Sequence, residues 1–197
     1  MQKIIKIIFL TFTGLMINPL CHADYLSKLY IQTQAGLSQQ SLSDINPINK
    51  YQTAGRLSAG IDFNKYIGTE IGYLYTPSTD WSNEKGIKFS TKTGVADLFL
   101  KFQFPFTHKL NLYSKLGGAA VGTSYENHSN TPNLFKDSVD LHLRPATALG
   151  VGYKFNDKLS ANLSWEYIFG SRNKTSEYNE SPRISFTSLG LSYHFGG

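Results

Sequence analysis

The feature of the sequence that most restricts its fold is a series of eight segments in which apolar residues alternate with polar or small ones. Successive side chains of a strand point to opposite faces, so each segment predicts a β-strand with one apolar face. The segments cover residues 29–37, 55–63, 66–76, 95–104, 110–121, 143–155, 159–169 and 188–195. Their connections run long, short, long, short, long, short, long, which predicts antiparallel hairpins with tight turns at one end and long loops at the other.

The less apolar faces of these segments contain glycines and charges of both signs. The charged residues on them are Arg56, Asp62, Glu70, Asp97, Lys101, Lys115, Arg144, Lys154 and Glu166. A charge facing lipid costs roughly 2–4 kcal/mol at the middle of a bilayer, so we expect the charges inside and the apolar faces against lipid. The predicted fold class is all-β, an eight-stranded antiparallel up-and-down transmembrane β-barrel. A soluble lipocalin-like barrel has the same strand number but an apolar interior.

The first residues have the features of a secretory signal. Lys3 and Lys6 form a short basic start before an apolar run that is too short to span a bilayer, and Ala23 is a small residue of the kind that signal peptidase prefers. We therefore expect a cleaved signal peptide over residues 1–23 and one barrel domain over residues 24–197. After the signal, no run of eighteen apolar residues predicts a transmembrane helix.

The single cysteine, Cys21, lies inside this predicted signal. Cleavage would leave no thiol for a disulfide or a Cys-based metal site. The alternative is a lipoprotein with Cys21 lipidated, although Leu20 is larger than the residue such a site usually accepts. Cleavage would also leave 17 of the 19 basic residues against 14 acidic ones, a net charge of +3. This small, dispersed excess gives no support for binding nucleic acid.

Four segments resemble the transmembrane domain of the OmpA family: residues 55–73, 112–118, 165–167 and 188–196. The last of them also resembles the C-terminal assembly signal of Gram-negative outer-membrane barrels, in Gly190, Tyr193 and Phe195. The resemblance implies the cell outer membrane as location, with its lipid, its lipopolysaccharide and the barrel assembly machinery as partners. OmpA itself continues into a periplasmic peptidoglycan-binding domain, whereas this sequence stops at Gly197, so the implied relative is a stand-alone barrel.

In the OmpA family, inward acidic and basic residues form an interior salt-bridge network. The matching positions here are Glu70, Lys101, Lys115 and Glu166, and the inward faces of the segments add Arg56 and Asp97. An eight-stranded barrel encloses only enough room for side chains, so we expect no solute-sized pore. The network is then either a structural filling of the lumen or a switchable bridge that gates a narrow ion path.

We expect no catalytic centre, metal or cofactor. Glu126, His128 and Ser129 are the nearest approach to a Ser–His–acid set, but neighbours in a polar loop rarely converge on one substrate, so a lipid A-modifying enzyme is a weak alternative. Phosphate-binding and cofactor-binding fingerprints are absent from the sequence. The histidines are on separate elements without carboxylates at metal-ligand spacing: His108, His142 and His194.

The predicted outward loops are rich in cations and contain exposed aromatic residues. We expect most of the cations to be solvated loop charges and a subset near the rim to suit lipopolysaccharide phosphates: Lys50, Lys85, Lys88, Lys92, Lys136, Arg172, Lys174 and Arg183. The aromatics could contact a host or phage protein: Trp81, Tyr125, Phe135 and Tyr178. We therefore expect a non-enzymatic protein that contributes to envelope integrity and surface contacts, with a small porin-like ion channel as the main alternative.

Overall fold

The structure is a computed structural model that describes residues 28–41, 46–47, 51–82, 88–127, 140–170 and 182–196. The predicted signal peptide lies outside these ranges. The described chain contains nine strands: β1 Leu29–Ser41, β2 Asn46–Pro47, β3 Gln52–Asp62, β4 Ile67–Ser82, β5 Lys88–Pro105, β6 Leu110–Asn127, β7 Asp140–Lys154, β8 Leu159–Ile168 and β9 Arg183–His194. Over the same ranges, the chain has no helix that is long and apolar enough to cross a membrane.

The eight long strands close into an antiparallel barrel. Strands that follow one another in the chain pair side by side, from β3 through β9, and β1 pairs with both β3 and β9 to complete the ring. The two-residue β2 pairs with the outer end of β4. Closure gives each long strand a partner on both sides, which removes the exposed edges of an open sheet. The predicted eight-stranded up-and-down barrel is therefore confirmed.

The apolar side chains lie on the outside of the barrel. On β3, Leu57 is 60% exposed while its neighbour Arg56 is 3% exposed, and on β5 Leu98 and Asp97 show the same contrast at 59% and 3%. An outer wall of this kind is stable against lipid, whereas in water it would be a large exposed hydrophobic surface. The predicted orientation of the faces is confirmed, and the lipocalin-like arrangement is wrong.

The three tight turns at one end of the barrel share one hydrogen-bond pattern. In the first, Phe63 N donates to Ile67 O at 2.9 Å, and Asn64 Oδ1 accepts from the backbone N–H groups of Tyr66 and Ile67 at 2.8 and 2.9 Å. In this Asx-type geometry, a short polar side chain accepts hydrogen bonds from backbone N–H groups of the turn in place of backbone carbonyl groups. In outer-membrane barrels the short turns face the periplasm, so this end is the periplasmic end.

The other two turns repeat the pattern with Asn156 and Thr107 in the place of Asn64. The phenylalanine equivalent to Phe63 in the middle turn is Phe106, whose N–H donates to Leu110 O at 2.9 Å. The turn begins where Thr107 redirects the backbone.

Several strands extend further outward than the sequence pattern predicts. Strands β5 and β6 each have 18 residues, well beyond the roughly 9–11 that cross a bilayer. Residues 88–93 and 122–127, predicted as loop, are therefore paired strand. Polar residues such as Ser90 and Thr91 carry no apolar alternation, but their backbones can still continue a hairpin ladder above the membrane.

Small residues make room for large ones inside the barrel. Tyr30 on β1 lies opposite Gly60 on β3, and Tyr113 on β6 lies opposite Gly150 on β7. A Cβ atom at Gly60 would overlap the Tyr30 ring and approach Thr69 O within 2.7 Å. The two tyrosine rings therefore lie over the bare backbone of the neighbouring strand and occupy space inside the barrel that water or a solute would need.

Candidate functional site

Arg56 on β3 is the central residue of a charged cluster in the middle of the lumen. Its Nη2 atom lies 2.5 Å from Asp97 Oδ1 and its Nη1 atom lies 2.7 Å from Glu70 Oε1. Nη1 also donates to Gln34 Oε1 at 2.9 Å, and Nε lies 3.4 Å from Glu166 Oε2. The planar fork of a guanidinium suits several carboxylates at once, which a lysine could not match.

Glu70 on β4 is bonded at both of its carboxylate oxygens. Oε1 accepts from Lys115 Nζ on β6 at 2.7 Å, as well as from Arg56, and Oε2 accepts from the hydroxyl of Tyr30 on β1 at 2.7 Å. Glu70 is only 1% exposed. Three donors at a buried carboxylate compensate for much of the hydration that it loses.

Gly72 leaves the space that the guanidinium occupies. A Cβ atom at this position would lie 2.6 Å from Arg56 Cζ and 2.8 Å from Asp97 Oδ1. Any other residue would therefore push the arginine away from its carboxylate. This glycine lies between Ser58 and Asp97 in the strand register, so β4 presents bare backbone at the level of the cluster.

Glu166 on β8 is the least satisfied member of the cluster. Its Oε2 atom is near Arg56 Nε, but Oε1 has no hydrogen-bond partner among the described residues, although Glu166 is only 3% exposed. The ionic cluster, defined here as Arg56, Glu70, Asp97, Lys115 and Glu166, thus joins three carboxylates to two cations. The structure brings together five of the six residues that the sequence analysis named for the network.

Lys101 lies apart from the ionic cluster, towards the periplasmic end. Its Nζ atom is 3.0 Å from Asp62 Oδ1 and 4.2 Å from the centre of the Tyr30 ring. Asp62 Oδ1 also accepts from Gln103 Nε2 at 2.7 Å. The predicted network has Lys101 among its central residues, but the register places Asp62 opposite Gly68, which in turn lies opposite Lys101.

Uncharged residues that the sequence analysis did not single out complete the hydrogen bonding. Besides accepting from Arg56, Gln34 on β1 donates through Nε2 to Ser164 Oγ at 2.8 Å and to Ser188 Oγ at 3.1 Å. Tyr30 links the ionic cluster to the Lys101 pair through its hydroxyl and its ring. The signal for both residues was their inward position on the first alternating segment, because buried charges need neutral partners as well as counterions.

An apolar layer lies on the outer side of the ionic cluster. We define it by nine inward residues that are at most 4% exposed: Ala54, Leu74, Val95, Ala119, Val121, Ala146, Ile168, Ile184 and Phe186. Phe99 packs against this layer from the level of the ionic cluster. Further outward the lumen is polar again, since Gln40 Nε2 donates to Thr76 Oγ1 at 2.9 Å. The alternation predicts a charged interior and does not reveal this layer.

The residues that resemble the assembly signal lie on both faces of β9 and directly after its end. Gly190 is inward, opposite Gln34 of β1, where a Cβ atom would approach Gln34 Cγ within 2.6 Å. Tyr193 and Phe195 point outward and are 42% and 49% exposed, with their rings in a T-shaped contact at 5.4 Å. They lie at the periplasmic boundary of the outer wall, where aromatic residues of membrane barrels collect.

The histidines named from the sequence lie on separate elements of the described structure. His108 lies in a periplasmic turn, while His142 and His194 lie in β7 and β9. No three His, Cys, Asp or Glu side chains within the described ranges could hold a metal ion. The other residues fall on, or have side chains within, parts of the chain that are not described: Glu126, His128, Ser129, Lys50, Lys85, Lys88, Lys136, Arg172, Lys174, Trp81, Tyr125, Phe135 and Tyr178.

A closed barrel with an apolar outer wall, a charged lumen and tight turns at one end defines a transmembrane β-barrel of the outer-membrane class. The model of the OmpA-like transmembrane domain matches residues 27–197 of this chain. The chain therefore belongs to the OmpA-like transmembrane domain family, as its sequence segments implied.

Similar proteins support the same assignment. The chain is 27% identical over 156 residues to outer membrane protein A of Serratia marcescens, covering 76% of this chain and 41% of that relative. It is 25% identical over 155 residues to outer membrane protein A of Escherichia fergusonii, covering 76% and 42%. The chain thus spans less than half the length of these relatives. The crystal structure of Neisserial surface protein A has the same fold, with a TM-score of 0.60, 17% identity and coverage of 85% and 97%. The protein is located in the cell outer membrane.

Proposed function

We propose that this chain is a non-catalytic outer-membrane barrel that supports the envelope, with a lumen sealed to ions and with outward loops that contact lipopolysaccharide and proteins of a host cell or phage. The observation that supports a sealed lumen is that side chains fill its middle. The ionic cluster lies there, and the apolar layer follows it towards the outer end. The loop contacts rest on the cations and aromatics of the predicted outward loops, some of which, such as Lys92 and Arg183, belong to the outer ends of strands in the structure.

The ionic cluster supports a structural role because its members come from different strands. Arg56, Glu70 and Asp97 lie on β3, β4 and β5, while Lys115 and Glu166 lie on β6 and β8. Their contacts therefore connect five strands of the barrel wall to one another through the lumen. A barrel braced in this way resists deformation of its cross-section, which is the requirement for a stable envelope component.

The apolar layer supports the sealed lumen. Leu74, Val95 and Ile168 each have no exposed surface in the structure. A hydrophobic constriction excludes water from a narrow channel, and an ion that enters it loses its hydration without replacement. The layer would therefore stop ions even if the bridges below it rearranged.

The test is current through single proteins in planar bilayers. We expect no openings from the wild-type protein or from Glu70→Ala, with Asp157→Ala in a periplasmic turn as the matched loss of one carboxylate. If the wild-type protein opened, and the size or frequency of its openings changed in Glu70→Ala but not in Asp157→Ala, the protein would be a gated channel and not a sealed barrel.

One observation favours that gated channel as a second candidate. Glu166 Oε1 has no hydrogen-bond partner in the described structure, so Arg56 and Lys115 have a third carboxylate to which they could move. The same recordings decide between the two functions. A lipid-modifying activity is tested separately: we expect the lipid A of a deletion strain to have an unchanged mass spectrum.

A further inference from the structure

A cleft of about 290 Å³ opens on the outer wall where β1, β8 and β9 meet, lined by Gln39, Ser41, Tyr167, Arg183 and Ser185. The strand register places these residues in two adjacent rows. Ser185 lies between Gln39 and Tyr167 in one row, and Arg183 lies opposite Ser41 in the next. All five alternate with buried residues of their strands, so the cleft faces away from the lumen.

The cleft lies at the level of the outer headgroups. Along β9 the outward residues are apolar from Phe195 to Leu189, whereas Ser185 and Arg183 are polar. Ser185 is ten residues from Phe195, and ten residues of a strand tilted by about 40° rise about 25 Å, the height of the apolar band of a membrane barrel. Phe195 is at the periplasmic boundary, so the cleft is at the opposite, outer one.

The lining offers hydrogen-bond donors and one positive charge. The Arg183 guanidinium is exposed, and this group binds phosphate through two parallel N–H donors. Ser185 Oγ accepts from Trp165 Nε1 at 2.8 Å, which leaves its hydroxyl proton available as a donor. Gln39 and Ser41 add an amide and a hydroxyl group. No carboxylate is among the five lining residues, so the site favours an anion with several oxygen atoms.

An aromatic ladder adjoins the polar rows. Tyr167 packs against Trp165 at 5.8 Å and against Phe169 at 4.8 Å between ring centres. Such rings at a membrane boundary contact the junction between headgroup and acyl chain. A ligand that is anionic and rich in oxygen on one side and apolar on the other matches both parts of the site.

We propose that this cleft binds the phosphorylated sugar headgroup of an outer-leaflet lipopolysaccharide, with Arg183 at the phosphate and with Gln39, Ser41 and Ser185 at the sugar and phosphate oxygens. The inference rests on the lipopolysaccharide contact of the proposed function. It assigns that contact to the barrel wall, through Arg183, which is one of the cations predicted for the outward loops and lies in β9.

The test is native mass spectrometry of the full chain titrated with bisphosphorylated lipid A, with dephosphorylated lipid A and with phosphatidylglycerol. We expect the wild-type protein to prefer bisphosphorylated lipid A, and Arg183→Gln to bind it about tenfold more weakly, the loss expected for one charge-assisted contact. Ser185→Ala should also weaken the binding of bisphosphorylated lipid A, but by less than Arg183→Gln does. Lys109→Gln, which removes one positive charge at the periplasmic end, should bind it like the wild type.

Each contrary result has a distinct meaning. Equal affinity of Arg183→Gln and Lys109→Gln for bisphosphorylated lipid A would contradict a binding site in the cleft and leave lipopolysaccharide contact to the loops. A wild-type protein with no preference for bisphosphorylated lipid A would overturn the cleft together with the lipopolysaccharide part of the proposed function. Displacement of lipid A by millimolar inorganic phosphate would identify an adventitious anion site and overturn the lipid assignment.

Discussion

Two neighbouring levels of the same lumen are built on opposite principles. The ionic cluster holds Arg56 by contacts of defined direction to carboxylates on three other strands. The apolar layer outside it consists of side chains without charges or hydrogen-bonding groups, with Phe186 as its largest member. The comparison indicates a division of roles: directed contacts fix which strands face each other, and close packing excludes water.

The largest effect should come from the centre of the ionic cluster. Arg56→Ala leaves the buried carboxylates of Glu70 and Asp97 without their shared partner. We therefore expect the free energy of unfolding, measured with urea for the protein in lipid vesicles, to fall by about 4 kcal/mol. The control is Lys158→Ala in an exposed periplasmic turn, which should change it by less than about 0.5 kcal/mol. A loss below about 1 kcal/mol for Arg56→Ala would mean that the ionic cluster does not brace the wall.

A slightly smaller effect should come from the apolar layer. Phe186→Ala removes a side chain that is 1% exposed and leaves a cavity, so we expect a loss of about 3 kcal/mol in the same unfolding measurement. Leu189→Ala, three residues along the same strand and 68% exposed to the lipid side, should lose less because lipid can fill the space. Equal losses in the two variants would contradict the close packing of the layer.

The neutral partners of the ionic cluster should contribute a measurable share. Tyr30→Phe removes the hydroxyl that donates to Glu70 at 2.7 Å and keeps the ring, so we expect a loss of about 2 kcal/mol. Tyr66→Phe, at a position 50% exposed beside a periplasmic turn, is the matched removal of a hydroxyl and should have almost no effect. An unchanged stability of Tyr30→Phe would show that Lys115 and Arg56 alone satisfy the carboxylate.

The smallest effect should come from the ion pair nearest the periplasm. Asp62 keeps 21% of its side chain exposed beside Lys101, so water can solvate the carboxylate when its partner is lost. We expect Lys101→Met to reduce the free energy of unfolding by about 1 kcal/mol, and the loss to shrink in high salt. The Arg56→Ala loss should not depend on salt. A salt-independent, larger loss for Lys101→Met would place this pair in the same dry interior as the cluster.

The sequence predicted those parts of the structure that depend on the alternation of side chains between the two faces of a strand. The alternation identified the strands and their lipid-facing side, because a charge such as Asp97 cannot face lipid while Leu98 faces the lumen. Strand ends were less predictable, since the sequences of the outer parts of β5 and β6 lack a regular apolar alternation and these parts continue as strand because each pairs with the other.

The pairing of charges depends on register, which the sequence does not specify. Whether Lys101 meets Asp62 or Glu70 is decided by a shift of a few residues between β3, β4 and β5. The apolar layer was missed for a related reason. Leu74 and Val95 are isolated apolar residues on the polar faces of their strands, and Ile184 lies before the predicted segment of β9. These residues become a layer only when the closed ring brings them to one level.

The most direct test of this account is current through single proteins in planar bilayers when the apolar layer is made polar. We expect the double variant Ile184→Ser with Phe186→Ser to show discrete openings, because hydroxyl groups hydrate the level that now excludes water. The wild-type protein, Glu70→Ala and the lipid-facing control Leu189→Ser should remain silent. Openings in Glu70→Ala together with a silent double variant would show that the salt bridges close the lumen, and the apolar layer could not then be its seal.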